Sequence, residues 1–404
     1  MNLNSEKFIK NEFPELQHHK DLVYLDSAAT TLKPRAVINR LKIFYEFEYA
    51  TIHRGIYELS QNATQLFDEA RNFVKDFIKA KSSSEIVFVR GTTEAINLVT
   101  TSFAGWLFTP GSEIIVSEIE HHANFVPWQM LAQEKGLVLK TIRVQDDGSL
   151  DLNHLKELIT PQTKLLALTH ISNVLGIVNP IKEIVKIAHD HEVAVLIDGA
   201  QAVAHLPVDV QDLDCDFYCF SGHKIYGPTG IGVLYGKKEL FKKMRPYQFG
   251  GDMVEQVNLL GTTFKEAPEK FEAGTPAIAE VIGLHAALQY VKSMGLAKIK
   301  NHEDLLLKKM LSELAQIPDI KIFGTAKEKS GIIAFNLGDI HPHDVGTILS
   351  EAGVAVRVGH HCSQLTMKRY QVPATVRVSF GIYNDLDDVD TFIKALKKVQ
   401  EIIC

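Results

Sequence analysis

From about residue 84 the chain alternates short, nearly continuous apolar runs with segments of helical period, and this alternation governs what it can fold into. SEIVFVR leads into GTTEAINLVTTSF, and SEIIVSE leads into the helical stretch NFVPWQMLAQEKG and then LVLKTIRV. TKLLALTHIS precedes PIKEIVKIAHDHE, where Pro180 suits the first turn of a helix. VAVLIDGAQ, DFYCFSGHK and GIGVLYGKK read as three further strands. A strand that is apolar on both sides must be covered on both sides, so the pattern predicts a mostly parallel sheet between two helical layers. Ligands of such sheets bind beyond the carboxyl ends of the strands. The polar residues that close these runs are therefore the candidate site.

Past about residue 265 the pattern changes. AEVIGLHAALQYVKSMG and the stretch 296–315 read as long helices, ahead of the strands IKIFG and GIIAFNL. A helix at 342–352, the strands VAVRVG and TVRVSFGI, and a final helix at 386–403 complete the chain. At 404 residues the chain exceeds what one hydrophobic core usually supports. The expected division is a large α/β domain over 21–265 and a smaller α+β domain over 266–404, completed by an N-terminal segment, 1–20.

Apolar residues at 46% and charged residues at 23% are the balance of a water-soluble globular chain. A net charge of -6 without a long basic run argues against nucleic acid or an anionic membrane as the main partner. No apolar stretch is long enough to span a bilayer, and the polar start MNLNSEKFIKNEFPEL has no signal-peptide centre, so a cytoplasmic enzyme is expected. Four cysteines do not make a disulfide framework. Cys215 and Cys219 lack a second ligand pair nearby, which argues against zinc, and Cys219 reads as a small hydrophobe in a strand. Cys404 is assigned no role.

Five segments carry chemistry. In SGHKIYGPTGIG, Lys224 follows a strand end directly, with Ser221 and His223 before it. A lysine there is either a solvated turn residue or, if its ammonium is disfavoured, a nucleophile for an aldehyde cofactor. In LIDGAQ, Asp198 ends a very apolar strand; it either caps the next helix or pairs with a protonated ring nitrogen. In GTTEA, Gly91 and the hydroxyls of Thr92 and Thr93 open a helix and suit a phosphate, though an ordinary cap looks the same. Ser221 and His223 could reach that phosphate.

In EHHANFVPW, one of His121 and His122 can stack on a cofactor ring and shuttle protons, the other being a surface residue. Asn173, ending THISN, is a candidate donor to a ring oxygen. In VRVGHHCSQ, Cys362 follows Gly359, His360 and His361 in what reads as a flexible polar loop. Histidines and Arg357 beside a thiol favour the thiolate, so Cys362 is a candidate nucleophile; an inert exposed cysteine is the alternative. Arg377 in TVRVSFG offers a planar fork for a substrate carboxylate or a structural ion pair.

Taken together, YLDSAATT, HRGIYELS, RGTTEAINLV, EHHANFVPWQ, LIDGAQ, SGHKIYGPTGIG, FEAGTP, RVGHHC and RVSFGIYN resemble the class V aminotransferase-like branch of fold-type I pyridoxal-phosphate enzymes. Within that branch the chain is most similar to the SUF-type, second-group cysteine desulfurases. The resemblance covers essentially the whole chain and implies a large, mostly parallel, seven-stranded-type sheet domain with a smaller α+β C-terminal domain. It implies that Lys224 holds pyridoxal 5'-phosphate and that His121 is the ring-stacking acid–base residue. Asp198 and Gln201 would contact the ring, Asn173 the ring and the substrate carboxylate, and Thr92, Thr93, Ser221 and His223 the phosphate.

Arg357 and Arg377 fall at substrate-side positions, Arg377 being the carboxylate clamp. The segment at Gly274 and Thr275 would reach the neighbouring subunit's site in a homodimer. The implied reaction takes sulfur from L-cysteine onto Cys362 and passes it to a small SUF-type acceptor protein for iron–sulfur cluster assembly, leaving L-alanine. Two departures are visible: Ser363 stands where relatives often have alanine, and Gly250-Gly251 stands where some have a third glycine. A selenocysteine lyase, a cysteine sulfinate desulfinase and an aminotransferase are the alternatives on the same fold, with a non-catalytic scaffold outside it. A dinucleotide-dependent dehydrogenase is disfavoured because no Gly-x-Gly-x-x-Gly follows the first strands.

Overall fold

The computed structural model describes residues 9–403; residues 1–8 of the N-terminal segment and Cys404 lie outside it. The central sheet has seven strands: β1 (Ile86–Val89), β2 (Glu113–Ser117), β3 (Val138–Ile142), β4 (Thr163–Thr169), β5 (Ala194–Asp198), β6 (Phe217–Ser221) and β7 (Gly232–Gly236). Their spatial order is β1-β7-β6-β5-β4-β2-β3. Only β7 runs against its neighbours; every other pairing in the sheet is parallel. Strands β1, β2, β6 and β7 are buried at every position, which is why they read as unbroken apolar runs. Each fully buried Val, Ile, Leu or Phe contributes roughly 1.5–3 kcal/mol, so this double-sided core makes the sheet a rigid base for its edge.

The covering helices take their faces from sequence. In Ile181–His189, Ile181, Ile184, Val185 and Ala188 are buried, the spacing of one helical stripe. Val126–Lys135 stops where Gly136 adopts a left-handed φ of 65°, a conformation that costs a glycine little. Helices Arg35–Ile43 and Glu58–Phe77 precede the sheet and lie outside the strand–helix alternation read from sequence.

The second sheet comprises β8 (Ile320–Phe323), β9 (Ile332–Leu337), β10 (Arg357–Gly359) and β11 (Thr375–Ser379), in the antiparallel order β8-β9-β11-β10. Helices Leu296–Leu314, Pro342–Glu351 and Leu386–Ile403 pack with it around Phe335, Val376 and Phe392. VAVRVG, read as one strand, is divided: Val354–Ala355 pairs with Val23–Tyr24, and only Arg357–Gly359 joins β11. A hairpin, Val254–Asn258 with Gly261–Phe264, has no counterpart in the sequence reading, because both its strands are largely solvent-exposed and carry no apolar period. Among the described residues no helix is long and apolar enough to cross a membrane.

Candidate active site

The carboxyl ends of β1, β2, β4, β5 and β6 converge on one cavity of about 230 Å³. Thr92, Thr93, His121, Asn173, Asp198, Gln201, Ser221, His223, Lys224, Arg357, Cys362 and Arg377 all line it. Gly274 and Thr275 do not; they border a separate groove with Arg90, Glu94 and Tyr247.

At one end, Ser221 closes β6 and meets the start of helix Thr92–Val99: its Oγ accepts the Thr92 amide at 2.9 Å and lies 2.8 Å from Thr92 Oγ1. The close packing behind this contact needs glycine at position 232. A Cβ on Gly232 would sit 2.5 Å from Gly91 Cα and 2.7 Å from the Phe220 carbonyl oxygen. The helix N-terminus thus turns its amide end toward the cavity edge, a position that favours an anion.

Lys224 stands on the single 3-10 turn Gly222–Lys224 directly after β6. Its amine faces the cavity, and desolvation lowers its proton affinity; Asp198 pulls it back up, while Arg377 lowers it further. Asp198, at the end of the adjacent β5, is 4% exposed and accepts the Ala200 amide at 2.9 Å. Burial raises its proton affinity, against the Ala200 hydrogen bond and the Lys224 charge. Gln201 anchors its side chain by donating to the Ala28 carbonyl at 2.7 Å.

His121 follows β2 and accepts the Ala123 amide on Nδ1 at 3.0 Å, which leaves the proton of the neutral ring on Nε2. Burial, then the charge of Lys224, hold its pKa down to about 3, so the ring is neutral across the ordinary pH range. Behind it Glu120 is buried, and desolvation pushes its pKa up to about 8 although Ser117, Asn124 and Thr169 all donate to it.

On the opposite wall, Arg377 on β11 is 3% exposed. Its Nη2 meets Asp26 Oδ1 at 3.0 Å and its Nη1 donates to the Asn173 carbonyl at 3.0 Å, while Nε is buried without a partner. Arg357 is half exposed and reaches the same Asp26 at 3.5 Å. The structural ion pair and an available donor therefore coexist in one guanidinium.

Cys362 is exposed at the cavity rim, and its loop is held rather than free. His361 and Cys362 both have left-handed φ, 52° and 54°, an uncommon pair for non-glycine residues. Asn173 Nδ2 donates to the His361 carbonyl at 2.8 Å, and the His122 amide donates to the Cys362 carbonyl at 2.7 Å. This replaces the flexible loop that polar composition alone suggested: the polar groups are spent on the loop's own anchors. The Asn173 amide nitrogen, expected to face a ring oxygen, gives one of its two N–H groups to that loop.

Sequence reasoning gave Asp26 and Glu120 no role. Asp26 sits inside YLDSAATT, one of the segments that carried the resemblance, yet its service to two arginines more than 300 residues away has no local signature. Glu120 immediately precedes His121, and an acid at a buried strand end was the available signal.

The Aminotransferase class-V family matches residues 23–392. A cysteine desulfurase of Dickeya dadantii (strain 3937) is 50% identical over 399 residues, covering 98% of this chain and 97% of that one. One from Serratia proteamaculans (strain 568) is 51% identical, covering 98% of each. Among solved structures, the S-sulfonic acid form of the cysteine desulfurase CsdA from Escherichia coli superposes with a TM-score of 0.93 at 40% identity, covering all of both chains. The apo cysteine desulfurase of Thermococcus onnurineus NA1 gives 0.94 at 38% identity, covering 98% of each.

Proposed function

This chain belongs to the class V aminotransferase family, and from that premise we propose the parts its residues take in the reaction. It is a pyridoxal-phosphate-dependent cysteine desulfurase, acting on L-cysteine and delivering sulfur to an acceptor. The observation that carries the assignment of roles is the meeting of Lys224, Asp198, Arg377 and Cys362 around one cavity.

The residues present fit the cofactor. A helix N-terminus with Thr92, Thr93, Ser221 and His223 suits its phosphate, Asp198 its ring nitrogen, Gln201 and His121 its ring, and Lys224 its aldehyde. When bound, pyridoxal phosphate supplies a carbon to which amines attach and an electron-poor ring that takes up the electrons released at the substrate Cα. Arg377, with one donor unspent and Arg357 beside it, holds the substrate carboxylate, aided by Asn173.

Lys224, disfavoured as an ammonium by burial, takes the proton from Cα. His121, neutral with its proton on Nε2, offers a hydrogen bond from that nitrogen within the site. The Cys362 thiolate attacks the substrate sulfur. The substrate's Cβ–S bond breaks and an S–S bond forms on Cys362, while protons return to the carbon fragment to give L-alanine. Sulfur is thereby passed on as a persulfide, with no external oxidant or reductant.

The finer readings are proposals as well: a SUF-type acceptor, supply to iron–sulfur clusters, cytoplasmic location, and a homodimer. The hairpin tip supports the homodimer, because Leu259 and Leu260 are fully exposed there. Gly274 and Thr275 would then serve the neighbouring subunit's phosphate site. We also infer large and small domains over 21–265 and 266–404, with residues 1–20 joining the latter. Lys10, paired with Asp385 and Asp388 at 2.7 Å, supports that joining.

The test is the visible spectrum of the purified holoenzyme with alanine formation from cysteine. Lys224→Ala should lose the imine absorbance and at least about a thousandfold in rate. Retention of the band, or of the rate, would remove Lys224 from this role.

A further inference from the structure

His122 is not used by the mechanism above, yet it makes two contacts to the cysteine loop. Its amide donates to the Cys362 carbonyl at 2.7 Å, and its ring Nε2 accepts the Gln364 amide at 3.2 Å. Its ring lies 5.6 Å from that of His360, inclined by 34°. His360 in turn accepts the Cys362 amide on Nδ1 at 3.1 Å. Two imidazole nitrogens therefore cap alternate amides of the segment carrying the reactive thiol, and each can do so only while unprotonated.

Ser363 adds an independent staple. It is fully buried, and its hydroxyl donates to the Glu120 carbonyl at 2.9 Å. An alanine at this position could not make this bond. The loop needs such anchors because His361 and Cys362 occupy left-handed backbone that an unanchored chain would leave.

We propose that His122 is a positioning residue for Cys362: its neutral ring nitrogen holds the Gln364 amide and so fixes the thiol's loop against the segment bearing His121. This rests on the desulfurase reading only for its effect on rate; the anchoring itself stands apart from it. Protonating His122 would turn the acceptor into a donor facing an N–H, and would place a cation beside its neighbours. The titratable groups facing it are His121 on its own segment, with ring centroids 6.4 Å away, His360 and Cys362 on the loop, and Glu134 across the adjoining groove. Burial and His360 both lower its proton affinity, which favours the accepting form.

Amide hydrogen exchange of residues 360–366 in the holoenzyme, read by mass spectrometry without cysteine, tests this directly. His122→Leu should raise exchange of that segment about fivefold. His122→Gln, whose side-chain carbonyl can accept the same amide but does not titrate, should restore protection. As pH falls from 8 to 5, protection in the parent should decline relative to His122→Gln measured at the same pH. In turnover, His122→Leu should lower kcat about tenfold with the KM for cysteine unchanged.

Parent-like exchange and kcat in His122→Leu would overturn the proposal, as would a defect confined to KM. If His122→Leu lost its cofactor band through misfolding, the parent and His122→Gln pH comparison would still decide: identical profiles overturn the proposal. Failure of the desulfurase reading would appear instead as normal exchange behaviour without alanine formation.

Discussion

Asp198 closes β5 and Lys224 stands on the turn that follows the adjacent parallel strand β6, and each alters the other's proton affinity across the same cavity. Desolvation drives both toward neutrality, the acid upward and the amine downward, and their opposite charges partly resist it. A pair held in this balance responds to an incoming charged ring: a pyridinium beside Asp198 would stabilise the carboxylate and leave Lys224 as an amine.

Asp198→Asn separates stability from activity. Asparagine still accepts the Ala200 amide, and the cost of burying a charge disappears. The apoenzyme should melt at the parent temperature or above it. Alanine formation should fall by about a hundredfold or more, since a neutral ring nitrogen withdraws electrons less well. A stopped-flow assay beside a thermal melt reads both quantities.

Arg71 and Glu272 form a bidentate pair, with both contacts at 2.7 Å and side chains 9% and 10% exposed. Glu272 also accepts the Phe88 amide of β1 at 2.7 Å, and it immediately precedes the segment of Gly274 and Thr275. Arg71→Met leaves a buried carboxylate without its cation and should cost about 3–5 kcal/mol in urea unfolding. A change under 1 kcal/mol would mean that Glu272 finds water or another partner.

Buried neutral histidines make the fold acid-sensitive. His170 is held by the Tyr218 hydroxyl at 3.0 Å, and burial lowers its pKa to about 4, below the value of about 6.5 it has when unfolded. The unfolded chain therefore binds the proton first. Stability is complete above pH 6.5 and is lost as pH falls from there through 4, by up to about 1.4 kcal/mol per pH unit for this one group. His170→Gln should flatten the fall in apoenzyme unfolding free energy between pH 6.5 and 5 by up to one proton's worth. An unchanged slope would show that the native His170 titrates normally.

The sheet and its functional edge were legible because buried parallel strands must be apolar throughout, so their polar closing residues stand out. Lys224, Asp198 and Thr92 each directly close or follow such a run, and all three line the cavity. What escaped detection depends on distance or exposure. Asp26 acts on Arg377, 351 residues away; the hairpin ending at Phe264 is exposed and lacks a period. The Cys362 loop was identified by composition, but composition alone suggested mobility, since the carbonyls and amides that anchor it belong to His122, Asn173 and Glu120.

The central claim is that Cys362 itself receives the sulfur, and the mass of the protein after one exposure to cysteine tests it. Holoenzyme given L-cysteine without an acceptor should gain one sulfur atom on the peptide containing Cys362, removable by a thiol reductant and matched by one L-alanine. Cys362→Ser should gain none and should form alanine at a small fraction of the parent rate. Sulfur on another cysteine, or alanine released by Cys362→Ser at the parent rate, would contradict the account.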